Sequence, residues 1–136
     1  MSGIFIDPEE TVSFNIFVGV DENEKIYVND DNKKLIAENK EVIKDQVVSF
    51  GFVFRKPSYK DNIDMMKKSG AVTTNGETVE FDASALRYER LVTLIKSWTL
   101  TDREDKELPP TRENIDRLHP TFAAAILDKL EEDIVF

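Results

Sequence analysis

The residues that could perform chemistry in this chain are mostly carboxylates. Asp102, Glu104, Asp105 and Glu107 lie close together in the stretch TDREDKE, residues 101–107. Such a cluster could bind calcium, but the stretch lacks the alternating oxygen ligands, the central glycine and the distal glutamate of an EF-hand loop. Carboxylates that act as general acid and base need a cleft and contrasting environments, which this polar run does not indicate. We therefore predict a solvated turn without a metal site, and we expect the acidic residues near Asp21, Asp30 and Glu131 to be solvated as well.

Other signatures of catalysis are missing from the sequence. There is no cysteine, and the single histidine, His119, offers little for a zinc site. His119 has no serine or acid placed with it in a triad pattern, so we expect it to cap the last helix or to pack across a helix joint. The five glycines form neither GxGxxG nor GxxxxGK[ST]. We accordingly predict a protein that is not an enzyme and that uses no cofactor.

Length and charge narrow the class of protein further. A chain of 136 residues with 40% hydrophobic residues is long enough for one domain with a real core. Its net charge of -9 disfavours direct nucleic-acid binding, which depends on lysine and arginine at phosphates. No basic leader precedes an apolar run, and nowhere do about 18 apolar residues follow one another. We expect a soluble, unexported protein with neither a membrane nor a nucleic-acid partner.

The first part of the chain has the two-residue periodicity of strands. TVSFNIFV, residues 11–18, places alternate apolar side chains on one face, and a short strand at residues 25–28 could complete a hairpin. VVSFGFVF, residues 47–54, puts Phe50, Phe52 and Phe54 on one face and is largely apolar on the other. Such a strand belongs in a sheet centre or against a partner. Residues 35–43 are compatible with a short helix or a loop.

Helix signals take over from Pro57, which suits a first helical turn. The following residues space Tyr59, Ile63 and Met66 on one stripe of a short amphipathic helix that ends at Gly70. Lysines surround this stretch, and they either meet an acidic partner surface or form a solvated helix face. The dipeptide Asn75-Gly76 then indicates a hairpin or a plain loop.

Three further helices complete the prediction. Asp82 caps a long helix that runs to Trp98, Thr111 caps a short one, and Pro120 opens the last helix, whose apolar stripe includes Phe122. Strands thus precede helices, which favours an α+β domain over alternating parallel units. We predict one domain over residues 1–136, with antiparallel strands in residues 1–56 and three to four helices in residues 57–136.

The C-terminal pattern RYERLVTLIKSWTLTDREDKELPPTRENIDRLHPTFAAAILDKL resembles small tail proteins of tailed bacteriophages, above all the tail assembly chaperones. The shared features are a helix ending at Trp98, an acidic turn, the Leu108-Pro109 step, a capped helix and a final Leu-x-Pro helix. FVFRKPSYKDNIDM upstream is similar to the strand-to-helix entry of such proteins. The resemblance covers roughly the second half of the chain.

This resemblance implies a non-enzymatic protein that binds tail tube or tape-measure subunits in the host cell cytoplasm. Residues at or next to the binding surface would then be apolar anchors, because aromatic side chains dominate many protein contacts. The candidates are Phe50, Phe52, Phe54, Trp98, Leu108 and Phe122. Aromatic residues are more often core than interface, so the sequence does not separate the two roles.

Two alternatives stay open at the level of sequence. The first is a structural protein of the virion tail, neck or baseplate, in which the strand of residues 47–54 joins a sheet with neighbouring subunits. The second is a small hydrolase or metal enzyme built on acidic residues, which the absence of a site constellation disfavours. Homo-oligomerisation is compatible with each of these interpretations.

Overall fold

The computed structural model describes residues 4–70, 82–134 and 136. The strands in these residues form one antiparallel sheet in the order β2-β1-β3-β4. They are β1 (Thr11–Val20), β2 (Ile26–Asn29), β3 (Val48–Arg55) and β4 (Ile95–Trp98). The longest pairing joins β1 to β3 from Thr11↔Arg55 to Val18↔Val48, so the two strands with the clearest sequence periodicity form the sheet centre.

The α+β class is confirmed, but the predicted division at residue 56 is not strict, because one short helix lies within residues 1–56 and β4 lies within residues 57–136. The helices in the described residues are α1 (Asn32–Glu38), α2 (Tyr59–Lys68), α3 (Ala83–Leu94), α4 (Arg112–Asp116) and α5 (Pro120–Asp133). A short 3-10 turn at Lys44–Gln46 leads into β3. Residues 35–43, for which helix and loop were both open, begin within α1 and continue beyond its end.

One face of the sheet carries the core. Phe14 and Phe52 are directly opposite each other in the β1–β3 register, and both are buried with Ile16 and Phe54. Successive strand residues point to opposite faces, which explains why alternate apolar residues meet the helices. Helix side chains complete this layer, and the most buried of them are Met65, Leu91, Leu94, Ile126 and Leu130.

A smaller cluster lies under α1. Leu35 is fully buried, and Val42 is nearly so. A Cβ atom at Gly19 would lie 2.6 Å from Cγ1 of Val42, so the close approach of this loop requires glycine in β1.

The helix predicted over residues 83–98 is wrong in its last four residues. Asp82 caps it as expected, accepting a hydrogen bond from the backbone N–H of Ala85 at 3.0 Å. The helix ends at Leu94, and Ile95–Trp98 becomes edge strand β4, with Trp98 opposite Phe52. The apolar residues of this segment do have helical spacing. The edge of β3 is open, however, and pairing with it supplies hydrogen-bond partners for the backbone of Ile95–Trp98.

The start of α2 also differs from the prediction. Pro57 lies outside the helix, and Ser58 is the N-cap of a reciprocal capping box with Asp61. The predicted turn at Asn75-Gly76 lies outside the described residues.

Candidate interaction surface

Three of the six predicted contact residues lie in the core. Phe52, Phe54 and Phe122 are buried, and Phe52 meets the Phe122 ring edge-on at a centroid distance of 5.8 Å. Phe54 stacks on Phe14 at 5.6 Å. A side chain enclosed in this way cannot touch a partner while the domain stays folded, so these aromatic residues stabilise the sheet–helix interface.

The other three predicted residues form a half-buried rim beside the same core. Trp98 lies edge-on to Phe52, and its indole N–H donates to the carbonyl of Leu108. Phe50 packs against Phe122 at 5.7 Å. The structure therefore brings five of the six residues together. The sixth, Phe54, lies two residues beyond Phe52 on β3. Trp98 ties the segment after the acidic turn to the sheet.

The acidic stretch is the tip of a small hairpin. Thr101 pairs with Glu107, and the carboxylate of Asp102 accepts hydrogen bonds from the backbone N–H groups of Glu104 and Lys106. That carboxylate thus shapes the turn, as short aspartate side chains commonly do. In residues 4–70, 82–134 and 136, no three His, Asp or Glu side chains are grouped so that they could hold a metal ion.

His119 is the N-cap of α5. Its Nδ1 atom accepts a hydrogen bond from the backbone N–H of Thr121 at 3.2 Å, and Pro120 occupies the first helical position. The first of its two predicted roles is thus confirmed. Thr111 likewise caps α4 through the backbone N–H of Asn114.

Glu131, an acidic residue predicted to be solvated, forms ion pairs with another helix. Glu131 in α5 binds Arg87 at 2.8 Å and Arg90 at 2.6 Å, and both arginines lie on α3. The side chain of Glu131 is 28% exposed, so these ion pairs are shielded in part from water. The prediction was wrong here because sequence gives no sign that α3 and α5 lie side by side.

Most of the exposed apolar side chains in the described residues belong to two short segments of the chain. Among the described residues, six large hydrophobic side chains are exposed, and all but Val48 belong to residues 4–6 or to α2. Phe5 is 77% exposed and Tyr59 is 84% exposed. Ile6 lines a cavity with Lys56 and Pro57, which lead directly into α2. Ile6 therefore lies close to the residues that precede α2.

The apolar stripe of α2 is correctly predicted in its spacing, but it faces outward. We call Tyr59, Ile63 and Met66 the α2 stripe. Tyr59 and Met66 are exposed, Ile63 is half-buried, and Met65 is the residue that α2 buries in the core. An amphipathic helix normally turns such a stripe towards the core, so an uncovered stripe is the unusual feature of this surface.

Polar contacts at its first turn fix the rotation of α2. Arg55 at the end of β3 binds both carboxylate oxygens of Asp61, at 2.6 and 3.2 Å. Asp61 also accepts from the backbone N–H of Ser58, while its own N–H donates to the Ser58 hydroxyl. The hydrogen bonds from Arg55 are the main reason why the pKa of Asp61 falls to about 2. This clamp holds the stripe on the outside.

Lysines run beside the stripe. Lys60 directly follows Tyr59, and Lys67 directly follows Met66. Neither lysine forms an ion pair within the described residues. The segment RKPSYKDNIDMMKK, residues 55–68, holds five basic and two acidic side chains, a local charge of +3 in a chain of charge -9. Lys60, Lys67 and Lys68 of the basic patch are exposed, and this exposure is compatible with both interpretations that the sequence left open.

Sequence reasoning identified the α2 stripe and the lysines, but it did not join them into one surface. A signal was available, because tyrosine-lysine and methionine-lysine recur seven residues apart, at positions 59–60 and 66–67.

Comparisons of the chain with protein-family models, curated proteins and solved structures find no match. Within the part of the chain that the structure describes, every helix is too short or too polar to cross a membrane.

Proposed function

We propose that this protein is a non-enzymatic tail assembly chaperone of a tailed bacteriophage, which binds tail tube or tape-measure subunits in the host cytoplasm before they polymerise. One observation carries the binding role: among the described residues, five of the six large exposed apolar side chains belong to residues 4–6 or to the α2 stripe. Apolar clusters of this kind mark interaction sites on folded proteins. The choice of partner rests on the resemblance of the C-terminal pattern to tail assembly chaperones.

The charge of the chain suits this role. A subunit that polymerises through sticky surfaces needs those surfaces covered until assembly, and the covering protein must itself stay dispersed. A net charge of -9 favours dispersion, while the α2 stripe provides apolar contact area.

The contact residues of this proposal differ from the aromatic set that the sequence suggested. Tyr59, Met66 and Phe5 are accessible, whereas Phe52, Phe54 and Phe122 lie in the core. Core aromatics act on binding only through the stability of the fold. Replacing Tyr59 and Met66 should thus weaken capture without unfolding the domain.

Co-expression with phage tail subunits tests the function. The tagged chain is captured under native conditions, bound proteins are identified by mass spectrometry, and purified particles are searched for the chain. Tube or tape-measure subunits on the free chain, with none of the chain in mature particles, support the chaperone role. Fixed presence in mature particles makes it a virion structural protein instead, and absence of any tail subunit from the captured material rejects both roles.

A further inference from the structure

We propose that the α2 stripe and the adjacent Lys60 and Lys67 bind an acidic amphipathic helix of the partner. This inference rests on the proposed function for the identity of the partner, but its physical basis is the surface of α2 alone. The apolar side chains specify a helix-shaped contact, and the lysines select the sign of the charges along it. Three features support this inference: the α2 stripe faces outward, Lys60 and Lys67 lie beside it, and the contacts of Asp61 fix the rotation of α2.

The spacing of the exposed side chains fits another helix. Tyr59 and Met66 are seven residues apart, as are Lys60 and Lys67. Seven residues rise about 10 Å along a helix, so each pair returns to nearly the same side after two turns. Ile63 lies between the two apolar residues on that side. A second helix can lie along α2 at a small crossing angle and place apolar side chains between these positions, as in coiled-coil packing.

A recess beside the stripe gives an anchor residue somewhere to bind. It is lined by Asn62, Met65 and Met66 of α2, by Leu86 and Arg90 of α3, and by Phe136. The floor is apolar because Met65 is almost fully buried there. Arg90 is already bound to Glu131 and lies over the Phe136 ring at 4.0 Å. An aliphatic side chain from the partner helix therefore suits the recess better than a charged one.

Charge determines which helix is bound. Lys60 and Lys67 are exposed cations next to the stripe, and the carboxylate of Asp64 forms no ion pair with either of them at 4.0 Å or less. The other carboxylate of α2 belongs to Asp61, which Arg55 already binds. A partner helix with glutamate or aspartate flanking its apolar residues would place anions against both lysines. Such rim charges set specificity and association rate.

The contrast between the acidic chain and the basic α2 segment disfavours two other occupants of this surface. A second copy of the chain would bring two bodies of charge -9 together. An anionic membrane would attract the lysines but would repel the rest of the protein, and the α2 stripe has only three residues to insert. A short acidic segment of a partner keeps the local attraction while adding little overall repulsion.

Synthetic peptides test the charge selection directly with the full chain. Two fluorescent peptides of about three heptads share the same leucine face and carry either glutamate or lysine at the flanking positions. Fluorescence anisotropy should show that the acidic peptide binds more tightly than the basic one. Lys60→Glu/Lys67→Glu should weaken acidic-peptide binding about tenfold, and added salt should shrink that difference. Tyr59→Ala/Met66→Ala should weaken it by a similar factor.

Matched variants control for charge and for truncation. Lys33→Glu/Lys34→Glu makes the same charge change on the exposed face of α1, and Val48→Ala trims an exposed apolar residue of β3. Both controls should bind like the unmodified chain. Because every replaced side chain is exposed, circular dichroism melts should confirm that all variants are folded.

Several results would overturn the inference. They are equal binding of the two peptides, binding of neither, or an equal loss in the α1 control variant. Binding to vesicles that contain about 30% anionic lipid, lost in Lys60→Glu/Lys67→Glu, would identify a membrane as the occupant. Sedimentation that shows a dimer which Tyr59→Ala/Met66→Ala converts to a monomer would identify a second copy instead.

The co-expression experiment separates this inference from the proposed function. Capture of tail subunits that is unchanged in both α2 double variants would leave the chaperone role standing and remove α2 as the site. Failure to capture any tail subunit, combined with selective binding of the acidic peptide, would reject the chaperone role and retain the docking surface.

Discussion

The clamp between Arg55 and Asp61 predicts a specific dependence of stability on pH. Asp61→Asn keeps the shape of the side chain and its capping contacts but removes the charge that Arg55 binds. The pKa of Asp61 is about 2, against 3.8 for an unperturbed group. One pKa unit corresponds to about 1.4 kcal/mol, so the ionised carboxylate contributes about 2 kcal/mol to the free energy of unfolding at neutral pH.

The sign of the pH dependence follows from the lowered pKa. The carboxylate is favoured in the folded state, so its contribution is complete above the unfolded pKa near 4 and is lost as the pH falls towards 2. Urea unfolding followed by circular dichroism should show Asp61→Asn less stable by about 2 kcal/mol at pH 7. The difference between the two proteins should narrow as the pH is lowered below 4.

Asp64→Asn is the matched control, because Asp64 lies on the same helix and forms no ion pair among the described residues. It should change the unfolding free energy little at either pH. A loss below about 0.5 kcal/mol in Asp61→Asn at pH 7 would contradict this prediction. The same holds for a loss that stays constant between pH 7 and pH 3. Either result would mean that the Arg55–Asp61 ion pair contributes little to the stability of the fold.

Three further predictions concern contacts that fix the core. Glu131→Gln should lower the unfolding free energy by about 1–2 kcal/mol, because it removes the charge that two arginines of α3 bind. Trp98→Phe should cost about 1 kcal/mol through the lost hydrogen bond to Leu108, and Trp98→Ala about 3 kcal/mol through the cavity it leaves. Gly19→Ala should cost about 1–3 kcal/mol by overpacking against Val42, and Val42→Ala should relieve much of that cost in the double variant. All are measured by urea unfolding with circular dichroism detection, since Trp98 is the single tryptophan.

Each of these predictions has its own point of failure. Glu132→Gln changes a neighbouring, mostly exposed carboxylate, and an equal loss there would show that position in α5, not the arginine contacts, sets the effect. Unchanged stability of Trp98→Ala would remove Trp98 from the core. Additive losses in the Gly19 and Val42 double variant would show that the two side chains do not compete for space.

Local signals in the sequence predicted much of the fold. The alternation in residues 11–18 and 47–54 identified the two central strands, since an exposed or buried face repeats every second residue in a strand. Asp82, Thr111 and His119 were placed as caps correctly, apart from the alternative role left open for His119. Capping depends on a side chain and the backbone two or three residues away, so it is encoded locally.

Contacts between distant segments decided the rest. The conversion of Ile95–Trp98 into β4 depends on the open edge of β3, which lies more than 40 residues earlier. The ion pairs of Glu131 depend on α3 and α5 lying side by side. Periodicity groups Phe50, Phe52 and Phe54 on one face, but only the packing of α5 shows that this face is covered.

The candidate site divides in the same way. The residue pattern alone shows that α2 is amphipathic, that lysines run along it, and that the chain as a whole is acidic. The outward direction of the α2 stripe follows from the packing of α2 against the rest of the domain. The reason is that the rotation of a helix depends on what binds it: Met65 enters the core, and Arg55, from a different element, fixes Asp61. Side-chain spacing defines a stripe, whereas the packing of the remaining chain determines whether that stripe becomes core or surface.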